Sequence, residues 1–170
     1  MAIAAPFDLK SWIDENRHLL KPPVGAQRIF TDAGFIVMVV GGPNQRSDYH
    51  LNEGEEFFYQ LEGDMTLKVV DDGEFRDIPI KAGEVFLLPG GVPHSPQRSA
   101  HSVGLVVERP RAEHERDGLR WYCESCKEVV YEVRFEVEDF LGQMKSTMQH
   151  WAGDDELRKC SSCGHQNSPA

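Results

Sequence analysis

Positive charge is what this sequence has least of. Eighteen lysines and arginines stand against 28 aspartates and glutamates, a formal net charge of −10 over 170 residues. A protein that works by neutralising phosphates needs a basic face, so the balance argues against nucleic acid as a partner. It leaves small anions open, because a local pair of arginines outweighs a distant acidic surface beyond the screening length of about 10 Å. Long apolar runs are also missing: none approaches the roughly 20 residues of a membrane span. The opening stretch MAIAAPFDLKSW has no basic segment followed by an apolar one. Neither a membrane anchor nor a signal peptide is therefore expected, and the cytoplasm is the default location. Cysteine is scarce, with four residues. In a reducing compartment they are expected as metal ligands or thiols, not as structural disulfides. There is no internal repeat and no long low-complexity segment.

What is present suffices for a core. Hydrophobic residues make up 40% and charged residues 27%, and the length fits one domain or one domain with a small appendage. Asp8 is placed to cap a short helix running to about Leu20, with Leu9, Trp12, Ile13, Leu19 and Leu20 on one stripe. Lys21-Pro22-Pro23-Val24-Gly25 ends it. From Gln27 to Arg109 short apolar or alternating runs follow: Arg28–Thr31, Phe35–Val40, Glu56–Leu61, Met65–Val70, Glu74–Ile80, Glu84–Leu88 and Ser102–Glu108. Turn residues such as Ala33-Gly34, Glu62-Gly63-Asp64 and Asp72-Gly73 separate them. Many short strands at this spacing predict an all-β sandwich or barrel. Pro110–Gly118 is charged and irregular, as a linker would be. The remaining tail carries all four cysteines and one strand-like stretch, Glu128–Val137. The expected organisation is a barrel with its helix over residues 1–110, then a linker and small extension over 111–170.

Two constellations carry chemistry. His50, Glu56 and His94 offer two imidazoles and one carboxylate, a set that can hold a divalent metal on one face and leave other positions open. Iron, zinc, manganese or nickel suits those donors. Arg46 and Asp48 share strand parity with His50, and Arg98 lies four residues beyond His94. Glu108 ends a very apolar strand, facing away from Val103, Leu105 and Val107. Taken singly, Arg46 reads as a solvated cation and Arg98 as a surface ion-pair partner. Glu108 alone reads as a strand-end acid paired with Arg109 or Arg111. The second constellation is Cys123-x2-Cys126 with Cys160-x2-Cys163. Two such knuckles make a tetrahedral four-thiolate cage for zinc or a rubredoxin-like iron. A closed cage of that kind does structural work, and Gly164 suits its tight turn.

The residues around the first constellation resemble the cupin superfamily, a double-stranded β-helix or jelly-roll barrel. His50, Glu56 and Gly63 fit its first motif, and Gly83, Pro89, Gly91 and His94 fit its second. Asn52 stands where many cupins place another histidine, and Arg98 where many place asparagine. The likeness narrows further, over about Pro6 to Gly164. Lys21–Gly25, Val39–Asn44, Glu55–Leu61, Phe86–Pro89, Pro93–Arg98 and the Trp121-Tyr122-Cys123 entry to a four-cysteine site resemble the 3-hydroxyanthranilate 3,4-dioxygenase family, in its bacterial form. Ala26 departs from it, standing where the family places asparagine.

The resemblance implies cleavage of 3-hydroxyanthranilate by O2 to 2-amino-3-carboxymuconate semialdehyde, a quinolinate precursor. It implies Fe(II) on His50, Glu56 and His94, a second iron or zinc on Cys123, Cys126, Cys160 and Cys163, and Arg46 and Arg98 as clamps on the ring carboxylate. Glu108 would bond the substrate's polar edge and accept or relay a proton. A homodimer is expected, since uncovered barrel edges invite pairing. Another metal-cupin enzyme, such as a thiol dioxygenase or an isomerase, and a non-enzymatic ligand-binding cupin are the competing readings.

Overall fold

The computed structural model describes residues 5–21, 25–30, 34–44 and 46–169. The expectations placed on Pro22, Pro23, Val24, Thr31 and Ala33 lie outside the described residues.

Helix α1 spans Leu9–Asn16 and runs into a 3-10 turn at Arg17–Leu19. The Asp8 carboxylate accepts the Ser11 amide at 2.7 Å, a cap worth about 1 kcal/mol. Eleven strands follow. They are β1 (Ala26–Arg28), β2 (Ile36–Gly41), β3 (Tyr49–Leu51), β4 (Glu56–Glu62), β5 (Met65–Asp71) and β6 (Glu74–Ile80). Then come β7 (Val85–Leu88), β8 (His94–Arg98), β9 (Val103–Glu108), β10 (Asp117–Tyr122) and β11 (Val129–Phe135), and helix α2 covers Phe140–Gly153. At the β5–β6 hairpin Asp72 and Gly73 both have positive φ, 49° and 83°. That is the turn geometry whose twist matches two antiparallel strands.

The strands form two sheets, ordered β1-β2-β9-β4-β7 and β11-β10-β3-β8-β5-β6. The pairs β2–β9, β3–β8, β4–β7 and β5–β6 are nested. One long antiparallel hairpin has wound on itself, the jelly roll of cupins. Period-two burial decides what points inward. On β4, Glu56, Phe58 and Gln60 are buried while Phe57 and Tyr59 face out. The interior packs Met38, Phe58, Met65, Leu67, Val69, Ile80, Leu88 and Val106. Helix α1 and the turn after it cover the outer side of β2 and β9 by packing Ile13 and Leu20 on Val39 and Val103. No helix among the described residues is long and apolar enough to cross a membrane.

The structure corrects several sequence expectations. The first strand is Ala26–Arg28, and Ile29 and Phe30 of the expected Arg28–Thr31 run lie outside it. Strands β3 and β8 were not foreseen, because one has three residues and the other contains Pro96. The linker expected through Gly118 gives way to β10 at Asp117, where the alternation Leu119, Trp121 begins. Helix α2 was missed although Phe140, Met144, Met148 and Trp151 lie on one helical stripe. These residues pack with Leu119 and Trp121 into a third cluster, with Trp121 stacked on Trp151 at 4.8 Å. The boundary at residue 110 falls just after the last jelly-roll strand. The chain beyond it nonetheless rejoins the barrel, since β10 pairs with β3 and sets Leu119 opposite His50.

Candidate active site

Strand register assembles the first constellation. His50 on β3 pairs with His94 on β8, and Glu56 on β4 pairs with Glu108 on β9. All four side chains are buried and line one cavity of about 750 Å³. His50 Nδ1 lies 3.4 Å and His94 Nε2 3.2 Å from Glu56 Oε1. The three donor atoms sit within 4.8 Å of one another. Two imidazole nitrogens and one carboxylate oxygen converging in a buried space fit a divalent first-row ion, with the cavity side left clear. Asn52, at the position of another histidine in many cupins, donates to Glu56 Oε1 at 3.0 Å, so it steadies that carboxylate. His94 Nδ1 contacts the Val92 carbonyl at 3.0 Å. His50 Nε2 contacts Asp117 Oδ2 at 2.8 Å, the carboxylate–imidazole pairing that orients metal-bound histidines.

Both arginines reach the same cavity, in different electrostatic states. Arg46 is forked onto Asp48, with contacts of 3.1 and 2.5 Å. Arg98 is 4% exposed and has no carboxylate partner among the described residues. Its Nη1 donates to Gln60 Oε1 at 3.2 Å, and its Nε is buried without a partner among the described residues. Burial, then the charge of Arg46, pulls the Arg98 pKa down to about 10. An anion entering the cavity would relieve both penalties.

Glu108 has its pKa raised by burial and by the charge of Glu56, while Arg111 opposes the shift. Arg111 Nη1 donates to Glu108 Oε2, and the same guanidinium grips Asp117 at 2.6 and 2.7 Å. The pairing of Glu108 with Arg111 therefore exists, yet the acid remains in the cavity wall. Helix α2 closes another side with Phe140, Leu141, Met144 and Met148, and the Phe140 ring lies 5.1 Å from that of His50. Ala26 is at the rim. The sequence reading missed Asp117, Arg111 as a bridge, Gln60 and the whole of α2. Extending the period-two pattern of Leu119 and Trp121 one step back would have reached Asp117.

The four cysteines also meet. Cys123 and Cys163 Sγ are 3.5 Å apart and Cys126 and Cys160 Sγ 3.6 Å, close to the sulfur spacing of about 3.8 Å around a tetrahedral ion with 2.3 Å bonds. No disulfide joins them. The two knuckles match bond for bond. Lys127 and Gly164 amides return to the Cys123 and Cys160 carbonyls at 3.0 and 2.9 Å. Both residues have positive φ, 67° and 78°. His165, next to Gly164, contacts Glu124 at 3.3 Å.

Residues 1–152 match the family described as 3-hydroxyanthranilic acid dioxygenase. A 3-hydroxyanthranilate 3,4-dioxygenase from Xanthomonas campestris pv. campestris strain 8004 is 55% identical over 163 residues, covering 96% of this chain and 92% of the relative. One from Meyerozyma guilliermondii is 52% identical over 165 residues, covering 97% and 96%. A solved structure from Neisseria meningitidis is similar in fold at a TM-score of 0.50 and 20% identity, over 62% of this chain and all of that one (100%).

Proposed function

The chain belongs to the 3-hydroxyanthranilic acid dioxygenase family, and on that premise we propose that His50, Glu56 and His94 hold iron(II) beside a carboxylate clamp made by Arg98 and Arg46. The enzyme opens the ring of 3-hydroxyanthranilate with O2. Bound iron(II) would supply the electron density by which ground-state dioxygen overcomes its spin barrier toward a closed-shell ring.

The chain's own residues have distinct tasks in this reading. Arg98, buried without an acid, takes the ring carboxylate through its guanidinium edge. Arg46, already oriented by Asp48, contributes its remaining donor and its charge. Glu108 uses Oε2 for Arg111 and Asn52. Its Oε1, with no partner among these bonds, accepts a proton from the hydroxyl edge of the substrate. Phe140, Met144 and Met148 cover the ring and exclude water. The observation that carries the reading is the meeting, in one cavity, of a two-imidazole, one-carboxylate donor set and a buried arginine lacking an acid partner.

The four-cysteine cage is proposed as a structural zinc or iron site within the extension that follows residue 110. The location is proposed to be the cytoplasm, where thiols stay reduced. The assembly is proposed to be a homodimer formed through the outer face of β4 and β7. There Phe57 lies opposite Leu87 and Tyr59 opposite Val85, all exposed, on the edge of their sheet. A charged residue at Leu87 should give monomers in analytical ultracentrifugation.

The decisive experiment loads metal-free protein anaerobically with iron(II) and follows O2 uptake on 3-hydroxyanthranilate, catechol and cysteine, with elemental analysis. Uptake on the first alone, abolished by His94→Ala, is expected. Normal turnover in the His94 variant, or in iron-free protein, would overturn the assignment.

A further inference from the structure

Arg111 has no part in the chemistry above, yet it touches both halves of the site. It lies between β9 and β10 with its side chain 10% exposed. Nε and Nη2 span the two oxygens of Asp117 at 2.7 and 2.6 Å, and Nη1 donates to Glu108 Oε2. Asp117 Oδ2 also takes the His50 ring at 2.8 Å. An unbroken chain thus runs from the proposed metal ligand His50 through Asp117 and Arg111 to Glu108. The Phe140 ring packs against two of its members, 5.7 Å from the Arg111 guanidinium and 5.1 Å from the His50 ring.

The geometry of a guanidinium matters here. The three nitrogens of this planar group are shared between two carboxylates, which sets the direction of each acid. Asp117 is 1% and Glu108 4% exposed, so solvent does not reorient either. A loop-fastening ion pair needs only one of these contacts, and a surface arginine would make them with exposed acids. In this protein one buried acid holds the His50 ring and the other lines the cavity.

We propose that Arg111 is a positioning residue that orients His50, through Asp117, and Glu108 as one unit. This rests on the reading of His50, Glu56 and His94 as the metal ligands. Losing the guanidinium frees two buried acids at once: one that sets the imidazole plane and one that meets the substrate. Lysine at this position keeps the charge but cannot hold both acids in one plane.

The test uses full-length protein and Mn(II), a hard ion that the thiolate cage disfavours, with binding followed by electron paramagnetic resonance. Arg111→Ala and Asp117→Asn should each weaken Mn(II) binding by about 10- to 100-fold, the usual effect of losing a carboxylate behind a metal-bound histidine. The double variant should bind no more weakly than Arg111→Ala, because the two residues act in series. In iron-loaded enzyme, Arg111→Ala should lower kcat beyond Asp117→Asn, since it alone releases Glu108. Arg111→Lys, which keeps the buried charge, should also lose Mn(II) affinity, and it serves if the alanine variant does not fold. Wild-type Mn(II) affinity in a folded Arg111 variant, or fully additive losses, would overturn the proposal. His94→Ala separates the two readings. Mn(II) binding that survives there sinks the metal site itself, whereas binding lost there but intact in the Arg111 variants sinks only the positioning role.

Discussion

Glu56 and Glu108 are register partners across β4 and β9, two buried carboxylates side by side on one face. Like charges in that position repel. The site separates them by partner. Glu56 is drawn to the two imidazoles and Glu108 to Arg111. A divalent cation on the Glu56 side would remove the remaining repulsion and so couple metal binding to the fold.

That coupling has a pH signature. Burial disfavours the His50 imidazolium, but the hydrogen bonds and charges of Asp117 and Glu56 outweigh it and lift the pKa from 6.5 to about 9 in metal-free protein. A ligating imidazole must be neutral. Metal uptake at pH 7 should therefore release about one proton from this ring, and affinity should climb roughly tenfold per pH unit before levelling above pH 9. The sign for stability is the reverse. A raised basic pKa stabilises the metal-free fold fully below 6.5, and that contribution is lost as pH rises through about 9. Titration calorimetry in two buffers of different ionisation enthalpy measures the proton count, and a count of zero at pH 7 contradicts it.

Arg98→Ala should act on the substrate's carboxylate and little else. A hydrogen bond to a charged group is worth about 1.5–3 kcal/mol, so KM for 3-hydroxyanthranilate should rise about 10- to 100-fold. With 2-aminophenol, which lacks the carboxylate, KM should be unmoved. Equal losses on both substrates would show that Arg98 serves the fold instead.

Gly104 makes room for the Arg98 guanidinium. A Cβ there would lie 2.8 Å from Arg98 Nη1 and 2.9 Å from Gln60 Oε1. Gly104→Ala should push the guanidinium off its seat and raise KM for 3-hydroxyanthranilate, again sparing 2-aminophenol. Parallel steady-state assays on the two substrates decide it.

Cys123→Ser opens the thiolate cage. Because a structural metal site contributes directly to folding, the variant should melt earlier and lose its cage metal. Turnover per bound iron should hold in the fraction that stays folded. A stable, fully iron-loaded variant with selectively lost turnover would refute a structural role.

The barrel and the candidate ligand set were legible because each left a local mark. Short apolar or alternating runs gave six of the eight nested jelly-roll strands, and His50, Glu56, His94, Arg46, Arg98 and Glu108 all reached one cavity. What stayed hidden depends on long-range pairing. Nothing within residues 110–118 announces that Asp117 will back His50, since the contact spans 67 positions. The run of charges there looks like a solvated connection until Arg111 is seen folded onto two buried acids. Helix α2 was concealed differently. Its stripe of Phe140, Met144, Met148 and Trp151 was present, but the cysteine pairs on either side drew the reading toward a knuckle.

Strand β10 places Leu119 against His50 and ends one residue before Cys123. A chain cut at residue 110 would thus strip β3, itself three residues long, of its neighbour on that flank. The amides and carbonyls around His50 would become an open edge, ready to pair with a foreign strand. Shortened versions of this barrel should accordingly aggregate unless some other segment is supplied to close that flank.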